Sequence, residues 1–209
     1  MPALSGIPPG RAGRNWLRRR LATAERGREQ LDRKLRILFP EEQRLRILAT
    51  RARTDWESAC AQADTWLLRA ALLGGQDAIR CASRFEPVGV EVQWATTMGL
   101  SYPSEAHVTA ATETAVLPAG NSAVAPATAA FHAALVAGVR TAAAEEAVRR
   151  IEAEIAVTRR RLRALDRRWL PRLHDELLRL ELTLEQSEQE DGLRLRRAAS
   201  SASRGRTLP

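Results

Sequence analysis

From Leu17 to Leu73 one apolar seam runs without a slip: Leu17, Leu21, Ala24, Arg28, Leu31, Leu35, Leu38, Glu42, Leu45, Ala49, Ala52, Trp56, Ala59, Ala63, Trp66, Ala70 and Leu73. The intervals alternate between four and three, and only Arg28 and Glu42 on the seam are charged. Roughly eight heptads of this pattern predict a coiled-coil helix, about 85 Å long at an axial rise of ~1.5 Å per residue. So narrow a stripe cannot close a core by itself and requires a partner helix.

The second half of the chain supplies that partner. Val148, Ile151, Ile155, Thr158, Leu162, Leu165 and Trp169 repeat the steps of three and four, with arginines and carboxylates on the remaining surface. The seam then takes two steps of four, to Leu173 and Leu177, before Leu180 and Leu184. That is a stutter, which locally unwinds a supercoil, and Pro171 falls inside it. Trp169, Pro171 and Leu173 therefore mark a change of twist. Counting the length of the first seam back from Arg197 reaches about Thr141, so the two helices match as an antiparallel pair with both termini at one tip.

The connection has a different texture. Gly74-Gly75 ends the first helix with a C-cap. Val88, Val90, Val92 and Trp94 alternate with Gly89, Glu91 and Gln93, the period of a strand. Residues Ala95 to Pro103 then read as a turn and a short return strand. A lone hairpin is marginal in water, so it must pack on the helix ends or on another protein. The expected fold is all-α: a long antiparallel two-helix coiled coil with a short β-hairpin inserted at the end opposite the termini. Its segments are a lead-in over 1–13, the first helix over 14–73, hairpin and connector over 74–125, the second helix over 126–198, and a disordered tail over 199–209.

Two residues oppose the first helix locally. Pro40 lies on the outer side, two places after Leu38, where it removes one backbone hydrogen bond without fouling the seam. Gly27 costs about 1 kcal/mol relative to alanine. It marks either a tolerated weakness or the close approach of another backbone.

Charge and cysteine usage bound the function. The net charge is +8, and Lys34 is the only lysine, so the excess is arginine. This balance permits nucleic acid, an anionic membrane or an acidic protein as partner, although a solvated face is the more ordinary reading for a long charged helix pair. Cys60 and Cys81 fit neither a disulfide framework nor a CxxC site, as expected of a cytosolic chain. Residues 1–10 lack the apolar core of a signal peptide. The charge-poor stretch from about Ala106 to Val139 is too weakly apolar to be a good transmembrane candidate.

No GxxxxGK[ST] loop is present, so no nucleotide-binding P-loop is expected. His107, His132 and His174 have no metal-ligand spacing, and the paired carboxylates sit on helical surface where ion pairing explains them. No catalytic residue, metal or cofactor is expected; the chain is read as non-enzymatic.

Three blocks taken together resemble the D subunit of the V/A-type rotary ATPases. The first is Pro9, Gly10 and Arg11, then Leu17 to Leu21, Ala24, Arg26-Gly27, Leu31 and Arg33-Lys34. The second runs from Val90 to Pro103, with Met98-Gly99 and Pro103 matching the family's short hairpin. The third runs from Thr158 to Asp166, followed by Leu170-Pro171 and Leu184-Glu185. Gly10, Arg14, Asn15 and Arg163 depart from the family pattern.

The resemblance implies a central rotor shaft for a proton- or ion-translocating rotary ATPase. Its termini would stand inside the hexameric head of catalytic and non-catalytic A and B subunits. Its hairpin end would point to the membrane ring through a socket subunit, and the small F subunit of the stalk would clasp its flank. The chain would then lie on the cytoplasmic side, peripheral to the inner face of the membrane and without direct insertion. On that reading Arg18, Arg19, Arg20, Arg194, Arg196 and Arg197 crowd together at the termini as an electrostatic bearing against the head. Trp94, Met98, Gly99, Leu100, Tyr102 and Pro103 form the contact at the base of the stalk. The competing readings are a basic coiled coil that binds nucleic acid and a scaffolding coiled coil; no aromatic residues are interleaved with the arginines to favour the first.

Overall fold

The computed structural model describes residues 6–82, 88–109 and 121–205. Helix α1 spans Gly10–Ala82, strands β1 and β2 span Gly89–Thr97 and Leu100–Thr109, and α2 spans Val124–Ala164. A π-helical turn over Leu165–Trp169 joins α2 to α3, Leu170–Gly205. The fold is the expected one, two long helical arms with a two-stranded antiparallel hairpin between them. Helix α1 begins within the stretch read as a lead-in, and α3 continues to Gly205, into the stretch read as a disordered tail. At Gly75 (φ 65°, ψ −174°) α1 breaks, where the Gly-Gly pair stands, and a further helical stretch follows to Ala82.

The chain forms two compact units, one from Met1–Arg33 with Thr158–Pro209 and the other from Lys34–Val157. In the first, which holds both termini, Leu17, Leu173 and Thr158 are fully buried. Ion pairs cross between its helices, among them Arg11–Glu188 at 2.8 Å, Arg18–Glu181 at 2.7 Å and Arg28–Asp166 at 2.6 Å. Residue numbers rise along one helix as they fall along the other, which is the antiparallel register. Arg28, the first charge on the seam, is thereby accounted for: its guanidinium reaches across to Asp166. Gly13 is required, because a Cβ there would collide with the carbonyl of Pro8. Gly27 has open space around the position of a Cβ, so no backbone approaches it.

In the second unit Leu35, Leu38, Leu45, Ala147, Ile151 and Ile155 form the buried seam. Glu42, the second seam charge, is 8% exposed and pairs with Arg46 at 2.9 Å, which also reaches Glu152 at 2.6 Å. Further along, the seam becomes alanine: Ala63, Ala70, Ala127 and Ala134 are buried, with Trp66 packed beside Ala70. Small side chains let the helices approach closely, and backbone-directed hydrogen bonds exploit this. The Thr141 hydroxyl lies 2.9 Å from the Ala52 carbonyl across the pair, and a Cβ on Gly138 would meet the Trp56 indole at 3.1 Å. Asn121 accepts from the Ala123 amide at 3.0 Å, opening α2, and donates to the Ala70 carbonyl at 3.0 Å.

The apolar lining is incomplete. A window within Val124–Ser200 reaches a mean hydropathy of 1.2 and is only 17% buried. By length and composition alone that helix is long and apolar enough to cross a membrane. Its alanines and Val124 nevertheless serve the helix pair, packing beside Ala70.

The hairpin is longer than expected on its return side. Strand β2 has ten residues, and the turn is only Met98-Gly99, between paired Thr97 and Leu100. Both turn residues have positive φ (51° and 78°), as a two-residue hairpin turn of the primed class requires. A register shift at Gln93/Trp94 places Trp94 opposite Pro103 and leaves Ser104 as the extra residue, so the proline sits at a bulge where no ladder donor is needed.

Candidate functional site

Without partners a two-stranded hairpin is unstable, and this one finds them on the flank of its own helices. The buried Tyr102 hydroxyl donates to Glu41 Oε1 at 2.7 Å. Arg44 grips the same carboxylate with two donors, at 2.5 and 3.0 Å. This bidentate grip, helped by the tyrosine and opposed by partial burial, holds the Glu41 carboxyl below its ordinary range. On α2, Arg150 stacks 4.9 Å from the centre of the Trp94 ring and donates to the Ser101 carbonyl at 3.3 Å. Glu146 steadies that arginine at 2.8 Å. The residues read as a stalk-base contact therefore divide. Tyr102 and Pro103 are buried, Leu100 is half-buried, and Trp94 (54% exposed), Met98 (42%) and Gly99 face outward. The hairpin packs against Glu41 and Arg150 rather than on the helix ends.

The arginines at the termini also divide. Arg18 is engaged with Glu181, and Arg194 lies near Glu190 and Asp191 on its own helix. Arg19, Arg20, Arg196 and Arg197 are exposed, and none of them pairs with a carboxylate among the described residues. The two groups do not crowd together. Arg18 faces Glu181, and Arg194 is thirteen positions further along α3, about 20 Å at the rise of a helix. The offset arises because α3 runs on to Gly205, well past the point from which a symmetric pairing would be counted.

The stutter takes the form of a π turn. The Leu170 amide bonds to the Leu165 carbonyl, five residues back. Pro171, exposed and unable to donate, follows directly, so the irregularity sits where one α-helical bond is lost in any case. Steps of four on an α-helix drift about 40° each; the wider turn rotates less per residue and offsets that drift. Leu165, Trp169 and Leu173 consequently line one groove, of about 510 Å³, with Trp16, Arg19, Arg20, Thr23 and Ala24 of α1. Arg20 stacks over Trp16 at 5.1 Å from the ring centre.

Several of these residues escape sequence reasoning. Trp16 stands next to a seam residue and off the seam itself, and its only signal is an aromatic ring among arginines. Glu41, Arg44 and Arg150 read as ordinary helical surface. The charge distribution has a clearer signal once the two units are known: the unit holding the termini has 21 arginines and no lysine against 11 acidic residues, a net of +10, whereas the other has a net of −2. Among the described residues no group of His, Cys, Asp and Glu could hold a metal ion.

The family model for the ATP synthase D subunit matches residues 15–200, which takes in both units and the hairpin. No curated protein matches the chain.

Proposed function

We propose that this chain, which belongs to the family of ATP synthase D subunits, is the central rotor shaft of its ATPase. Membership makes it a stalk subunit of a rotary ATPase, associated with the other ATPase subunits in a complex peripheral to the membrane. The finer reading is mechanical. The termini unit stands in the hexameric head of A and B subunits, the other unit engages the small F subunit and the socket of the membrane ring, and torque passes between them. The chain itself performs no chemistry.

The observation that carries this reading is the paired seam. In each unit the alternation of three and four buries side chains from both arms, and ion pairs such as Arg28–Asp166 and Arg46–Glu152 fix their register. Twisting one arm must therefore carry the other. The hairpin, clasped by Glu41 and Arg150, braces the pair from outside.

Co-expression with the head and stalk subunits, followed by attachment of a bead to the chain, tests the proposal. The expected result is a stoichiometric complex in which the bead rotates during ATP hydrolysis. A complex that hydrolyses ATP while the bead stays still overturns it. The net charge of +10 on the termini unit favours one alternative, a nucleic-acid-binding coiled coil. That reading predicts elution apart from the ATPase subunits and salt-sensitive DNA binding.

A further inference from the structure

We infer that the groove beside the π turn is a docking pocket for one apolar side chain flanked by carboxylates, carried by a loop or helix end of the ATPase head. The inference rests on the rotor reading and assigns its contact to a particular place. Trp16, Leu165, Trp169 and Leu173 give the groove an apolar wall, and the two indoles offer large rigid contact surfaces of the kind that dominate protein interfaces.

Charge selects the occupant. Across residues 16–24 and 165–173, which contribute both walls, six arginines face a single acidic residue, Asp166, and Arg28 already holds it at 2.6 Å. Elsewhere in this unit the ladder of cross-helix ion pairs is regular, with Arg11, Arg18 and Arg28 each engaged. Arg19 and Arg20 on the groove wall pair with no carboxylate among the described residues, and Arg20 is held in place over Trp16. An apolar recess under unneutralised guanidiniums fits a segment that brings its own Asp or Glu beside a Leu, Met or Phe. A guanidinium stacked on an indole is also pre-oriented to bind a carboxylate.

The test uses the full chain with the purified hexameric head of the same ATPase. With a photo-crosslinking residue in place of Trp16, the crosslinked peptide is expected to come from a head subunit and to carry a carboxylate next to an apolar side chain. Trp169→Ala should weaken head binding roughly 30-fold, as loss of an interface anchor does, while Trp169→Phe retains most of it. Should Trp169→Ala fail to fold, the exposed pair Arg19→Glu with Arg20→Glu carries the same test and should weaken binding at least tenfold, more at low salt. Native head binding with either variant overturns the pocket and leaves the rotor reading standing. A crosslink to a second copy of the chain, to nucleic acid or to a basic segment also overturns it. If the native chain does not bind the head, the rotor reading falls first.

Discussion

The two units use the same seam for different ends. In the unit holding the termini, the cross-helix ion pairs are mostly exposed, arginine outnumbers acid almost two to one, and a groove lined by two tryptophans stays open. Exposed pairs of this kind stabilise by about 1 kcal/mol or less each, so they set register more than they hold the helices together. The Lys34–Val157 unit is nearly balanced in charge, packs its seam with alanines and fully buried leucine and isoleucine while Trp56, Phe131 and Leu135 stay partly open beside it, and carries an external brace. One unit presents chemistry outward; the other turns its chemistry on itself. In the proposed rotor, grip and stiffness are separable duties, and the two units divide these features by sequence.

The comparison is most exposed to failure in the packed seam. Leu38→Ala, at a site of 0% exposure between Leu35 and Leu45, is expected to destabilise the protein by about 3–5 kcal/mol in chemical denaturation. Leu17→Ala, equally buried but one residue from the groove-lining Trp16, should cost about 2–3 kcal/mol because its surroundings can relax into the opening. Equal losses would mean that the two units are packed alike.

The brace gives a smaller and pH-dependent effect. Glu41→Gln keeps an acceptor for Tyr102 but loses the charge that Arg44 and Tyr102 share, and should loosen the hairpin by about 1–3 kcal/mol. Faster amide exchange in β2, with the termini unit unaltered, is the readout. Because the Glu41 carboxyl is held below its ordinary value of 4.5, first by Arg44 and then by Tyr102, its contribution is complete at neutral pH. That contribution fades as the pH falls through the range below 4.5. A hairpin that already loosens when the pH is lowered only to about 6 would contradict this assignment.

The smallest expected change is a gain. Gly27→Ala meets open space in the middle of a helix and should stabilise the termini unit by about 0.5–1 kcal/mol, measured as a higher thermal midpoint. A loss there would reveal a packed neighbour and erase the contrast with Gly138, where the Trp56 ring stands against the backbone.

These contrasts also mark what a reader of the sequence could reach. The seam was legible because periodicity is a local property: Leu17, Leu35, Leu38, Glu42, Leu45, Ala63 and Ala70, all on the alternation of four and three, are all buried. The hairpin's existence was legible in the alternating valines. Its docking was not, since Tyr102 meets Glu41 across 61 residues of chain and neither residue carries a local mark of the contact. The gathering of arginines at the termini failed for a related reason. It assumed that both arms end at the same level, whereas register is set by pairs such as Arg18–Glu181 and not by where helicity stops. The stutter at Trp169, Pro171 and Leu173 was visible as two successive steps of four, but spacing alone cannot distinguish an unwound supercoil from a π turn. The hydrogen bond from Leu170 to Leu165 makes that distinction.

That bond has a consequence for how this arm tolerates changes in length. A π turn holds one residue more than the α-helix around it needs, while the helix on either side keeps its phase. Deleting one residue between Leu165 and Trp169 would restore ordinary pitch and leave everything from Leu173 onward facing its old neighbours. The same deletion elsewhere in α2 or α3 would swing every later side chain about 100° away from the seam. Leu165–Trp169 is thus the one described stretch of this arm where the residue count can change by one while the pairing beyond it is kept.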